Sequence, residues 1–133
     1  MATVTFSGVA TPDKKPTVRI AGGTIGKHAA VYIDTTDNNK VKEAAAGAAA
    51  TAVVYGIALH AASSGEYVLV ATDGTTLTVG GGLTAKTRLV VSGTAGDIEL
   101  QSDLTGGEYI SEVGYATATT TLVIDINVTG LTA

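Results

Sequence analysis

The chain contains no cysteine and no tryptophan, one phenylalanine, one methionine and two prolines. Without cysteine there are no disulfides and no thiolate zinc sites, so a fold of this size must rest on its own packed core. At 133 residues it is long enough to bury one. Charge is also scarce, since Asp, Glu, Lys and Arg together make 15% of the chain. The eight basic residues are scattered, and Lys14 and Lys15 are the only adjacent pair. Nucleic-acid binding needs clustered positive charge to displace counterions, so no nucleic-acid partner is expected from a chain of net charge −4. No apolar run approaches the roughly 20 residues of a membrane-spanning helix, and no membrane partner is expected. The stretch Met1 to Ser7 lacks the basic and continuously apolar regions of a secretory signal, so the expectation is a soluble protein assembled in a cytoplasm.

What the sequence does have is Ala, Val, Thr and Gly, with hydrophobic residues at 45%. That is too much apolar material and too little charge for disorder. Short β-branched runs recur between turn residues. Examples are Ala30 to Asp34, Lys40 to Lys42, Val53 to Leu59, Glu66 to Ala71, Thr76 to Val79, Arg88 to Val91, Asp97 to Leu100, Tyr109 to Val113 and Leu122 to Val128. This spacing predicts an all-β barrel or sandwich with at most one short helix. Val53 to Leu59 is apolar on both faces and reads as a central strand. Asp73-Gly74 is a strong two-residue hairpin signal. Gly80 to Gly82 must be a bend or a close backbone approach. The alanine-rich Ala44 to Ala52 reads as a loop or one or two helical turns, because Gly47 interrupts it and no large apolar anchors are present. Gly56-Ile57-Ala58 and Gly114-Tyr115-Ala116 form a faint internal echo, as two similar hairpins would.

Two domains of behaviour are expected: residues 1–24 as an extended arm or edge strand, and residues 25–133 as one barrel-like domain. The first contains both prolines, around the turn Pro12 to Pro16, and its flanks alternate with period 2. Val4, Phe6, Val18 and Ile20 are its candidate anchoring side chains for a neighbouring subunit or partner.

The search for chemistry yields little. His28 and His60 belong to no metal-binding motif and read as strand-end histidines. The stretch Asp34 to Asn39 has the composition of a calcium loop without its spacing. Gly82 to Thr87 is not a phosphate loop, and no Gly-x-Ser-x-Gly occurs. No catalytic residue, cofactor or metal site is assigned.

Four stretches together carry a family resemblance: Gly26 to Asp34, Lys42 to Ala50, Val54 to Val68, and Val113 to Thr117 running into Leu122 to Asn127. In these the chain resembles the tailed-bacteriophage capsid cement, or head decoration, proteins. The resemblance implies a viral structural protein on the outer surface of the expanded head. There such proteins, often homotrimers, clamp neighbouring major capsid subunits. It implies no catalytic residues. The alternative reading is a phage tail or fibre module that binds host-surface glycans.

Overall fold

A computed structural model describes residues 3–133. Met1 and Ala2, the first two residues of the expected arm, lie outside the described residues. The described chain is all-β, with one 3-10 turn at Gln101–Asp103 as its only helical element.

Seven strands make a curled sheet, ordered β1 (Thr3–Val4), β10 (Ile98–Leu100), β9 (Thr87–Val91), β11 (Tyr109–Ala118), β12 (Thr121–Thr132), β8 (Thr76–Thr78) and β2 (Thr11–Pro12). Five make a second sheet, ordered β3 (Thr17–Ile20), β7 (Tyr67–Thr72), β6 (Gly56–Ala58), β4 (Ala30–Asp34) and β5 (Lys40–Glu43). Every strand pair named in these sheets is antiparallel. A parallel bridge between Ala21 and Val41, with the Gly22 N–H on the Val41 carbonyl at 2.8 Å, draws the outer strands β3 and β5 of the smaller sheet together at one end.

Around β6 the smaller sheet is buried on both faces, and its period-2 pattern sorts the two. Ala30, Ile57 and Ala71 face the curled sheet and join Leu77, Leu89, Val113, Leu122 and Ile124 in the larger core. Val31, Ala58, Val68 and Val70 point the other way, into a second core with Ile25 and Val41. Alanine at the first set of positions lets the sheets approach closely. β6 is central and wholly buried, as its continuous apolar run predicts, but only Gly56–Ala58 keep ladder pairing.

The N-terminal segment closes the curled sheet. β1 pairs with β10 at one edge and β2 with β8 at the other, so residues 5–10 cross between the two edges. Phe6 fills the space between them and is 8% exposed. Ser7 bridges to Gly81, and Gly82 lies so close to Thr5 that an added Cβ would collide with the Thr5 carbonyl oxygen. The φ of +104° at Gly82 also suits no other residue. The glycine run is therefore a close approach as well as a bend.

One expectation changes. Asp73-Gly74 turns the chain but joins no hairpin, since β7 belongs to the smaller sheet and β8 to the curled one. Gly74 alone takes a positive φ, of 86°, whereas a type I′ hairpin turn needs two such residues. The turn is held by long-range bonds instead: Gly74 N–H to the Ile124 carbonyl at 2.8 Å, and Ile126 N–H to Asp73 Oδ1 at 2.8 Å. The alanine-rich segment is a loop with a single i→i+4 bond, from Ala52 N–H to the Ala48 carbonyl. Its backbone is tied to the sheets, with Ala44 bonded to Ala30, Ala46 to Ser92, and Tyr109 back to Ala46. The echo of Gly56 and Gly114 has a shared cause, because each glycine meets a neighbouring strand's carbonyl where a Cβ would stand.

Phe6→Ala should lower unfolding free energy by about 3–5 kcal/mol, read as a fall in the midpoint of chemical denaturation. An unchanged midpoint would show that the edge-to-edge segment contributes little to the core.

Candidate interaction surface

The four candidate anchors divide by orientation. Phe6 is buried in this chain's own core, and Val4 packs against it. Val18 and Ile20 face solvent. In β3 the alternation is strict: Thr17 and Arg19 are half-buried, while Val18 is 54% and Ile20 39% exposed. Register places Val18 opposite Leu69 and Ile20 opposite Tyr67. Tyr67, 72% exposed, and Leu69 point outward with them. Four large apolar side chains thus share one face of an antiparallel pair. Two residues further along β7 on that face, Ala71 is covered by the curled sheet. The exposed row is the uncovered continuation of the intersheet core. Tyr67 and Leu69 carried a readable signal, the alternation of Glu66 to Ala71, but which phase faces out depends on tertiary packing.

His60 sits beside this row. Its Nε2 accepts the Leu69 N–H at 3.1 Å, which leaves Nδ1 to donate to the Ala61 carbonyl at 2.9 Å. His28 has a different duty. It adopts a φ of 65°, stacks its ring on Phe6 at 4.4 Å, and sets Nδ1 3.2 Å from the Phe6 carbonyl. Burial pushes its pKa below the ordinary 6.5. Both histidines therefore hold backbone, as strand-end residues can.

The calcium-like stretch is occupied by a lysine. Lys42 Nζ lies 2.8 Å from Asp34 Oδ2 and 3.2 Å from Asp37 Oδ2, and Lys40 lies 3.9 Å from Asp37. The Lys42 ammonium, with Thr36 hydroxyl and backbone bonds, holds the Asp34 carboxyl down at about 2. On the curled sheet Arg88 reaches Glu112 at 3.5 Å and Asp125 at 3.6 Å and lies over the Tyr115 ring. No group of three or more potential metal-ligating side chains occurs among the described residues.

One titratable residue escaped sequence reading. Glu99 in β10 is fully buried, and the Ser92 hydroxyl is the one side-chain donor near its carboxylate among the described residues. Burial raises its pKa above the ordinary 4.5, and the charges of Glu108 and Asp103 add to the effect. In the sequence it is one more polar residue in an alternating strand, and nothing local marks its face as covered.

Two outcomes are expected. Lys42→Met should return the Asp34 carboxyl toward its ordinary 3.8, measured by NMR titration of the carboxyl carbon. In the native chain that pair contributes above pH 3.8 and is lost as pH falls through about 2. Glu99 has the opposite sign. Its stabilising neutral form is fully present below pH 4.5 and is lost as pH rises through the folded pKa. Glu99→Gln should therefore gain in melting temperature over the native chain as pH rises from 4 to 8. A constant difference across that range would contradict the assignment. Comparison with family models and with curated proteins gives no match for this chain.

Proposed function

We propose that this protein is a capsid cement, or head decoration, protein, bound to the outer surface of an expanded phage head and acting without chemistry of its own. The observation that carries the reading is the solvent-facing row of Val18, Ile20, Leu69 and Tyr67 on the β3–β7 pair. Four large apolar groups together on one face fit a surface covered by another protein. The partner in this reading is the major capsid protein, with a second contact between copies of this chain as a homotrimer. Repetition over a lattice turns modest contacts into firm retention. Low charge density and a net charge of −4 suit the outer side of a head better than the DNA side. The family resemblance of residues 26–127 supports the same role. The glycan-binding alternative draws less support, because Tyr55 and Tyr115 each lie against an arginine and only Tyr67 presents an open ring.

Quantitative mass spectrometry of particles purified from the source should find this chain in copies near-equal to the major capsid protein. A few copies per particle would point to a tail or fibre part, and absence would remove the reading. The double variant Ile20→Asp, Tyr67→Ser should keep its fold and lose occupancy on heads by about tenfold or more.

A further inference from the structure

β3 and β5 come together at one end, where Ala21 bridges to Val41 and the Gly22 N–H bonds the Val41 carbonyl. Among the described residues no strand pairs with Thr17–Ile20 on that side of β3. The tip of the β4–β5 turn, where Asn38 and Asn39 both take positive φ, stands across the gap. Two cavities open along it and share Arg19 and Asn39. One, of about 440 Å³, is walled by Ile33, Val53, Val54 and Tyr55. The other, of about 390 Å³, runs past Lys40 and Tyr67. Val53 is 51% exposed at the mouth of the first.

Arg19 is the unusual group in this trough. Its guanidinium lies 5.0 Å over the Tyr55 ring, and Nη2 donates to the Tyr55 hydroxyl at 3.4 Å. Its Nε is buried with no acceptor among the described residues. No carboxylate there comes within ion-pair distance of it, since Asp34 and Asp37 are both engaged by Lys42. A half-buried guanidinium is a planar fork of donors matched to a carboxylate, and leaving it unpaired is costly. The trough thus combines a free strand edge, an apolar wall and a cation without its anion.

We propose that this trough binds an extended peptide segment of a partner protein, one with a carboxylate side chain set between apolar ones. Its main chain adds to the open edge of β3, its carboxylate meets Arg19, and an apolar neighbour packs on Val53 and Ile33. Strand addition supplies sequence-tolerant affinity, and the arginine supplies selection. The inference does not rest on the head-decoration reading, because it specifies the chemistry of the segment and not the protein that carries it.

The test uses the full-length ¹⁵N-labelled chain and two blocked heptapeptides of alternating valine and threonine, one with a central aspartate and one with asparagine there. The aspartate peptide should shift the Arg19 Nε–H and the amides of residues 17–20 in a saturable way. The asparagine peptide, and the Arg19→Gln protein with the aspartate peptide, should each bind about tenfold or more weakly. Val53→Asp, a substitution at an exposed position outside any strand, places a repelling carboxylate at the mouth. It should weaken both peptides through the lost apolar contact and the aspartate peptide further through repulsion, and that difference carries the test if Arg19→Gln fails to fold. Equal binding of the two peptides, shifts elsewhere on the surface, or no shift at millimolar peptide would overturn the proposal.

Discussion

One short segment, residues 3–12, pairs with both edges of the seven-stranded sheet and places a single phenylalanine between them. An open sheet edge presents unpaired amides and carbonyls, and natural folds must cover or blunt it. Here two strands of two residues each occupy the two edges. Asp13 extends the second, because its N–H reaches the Thr76 carbonyl and its Oδ1 accepts the Thr76 N–H at 2.8 Å. The stack of His28 on Phe6 then ties the smaller sheet to the same segment. The edge closure, the larger core and the junction between sheets all depend on this crossing.

The scarcity of charge and of aromatic rings has a structural counterpart. Where the smaller sheet is buried on both faces, around β6, it needs apolar residues at nearly every position, and alanine at the intersheet face keeps the layers close. Several of the charges that remain fasten local structure: Lys42 on two aspartates, Arg88 on Glu112 and Asp125, Glu43 on the Gly26 N–H at 3.0 Å. Arg19 departs from that pattern, and so does the outward row beginning at Val18. Both belong to β3, so one short strand carries an outward apolar row on one face and a guanidinium with no carboxylate partner on the other.

Local pattern carried the strands well. Ala30 to Asp34 and Lys40 to Lys42 sit where β-branched residues and an intervening Asp–Asn turn placed them. What periodicity could not give was partnership. Asp73-Gly74 announces a turn through its own backbone preferences, but the strand that pairs after it is chosen by Leu122, some fifty residues later. Val4 with Phe6 and Val18 with Ile20 alternate alike in the sequence. One pair is folded inward because a curled sheet needs a plug, and the other faces out because the curled sheet stops at Ala71. Glu99 and Arg19 were illegible for a related reason. Each is a polar residue in an alternating strand, and only the position of distant elements decides whether its face is covered.

The crossing segment also sets an order of events. Thr3 and Val4 are made long before Glu99 and Ile98, with which they pair, and Thr11 pairs with a β8 that is itself placed by β12. Contacts this remote in sequence carry a loop-closure cost before they return any stability. These early strands therefore dock late, and until β11 and β12 are made Phe6 has no complete site to enter. For that interval both edges of the nascent sheet stand open to other chains, so crowding among copies during synthesis is the stage at which this fold is most exposed to misassembly.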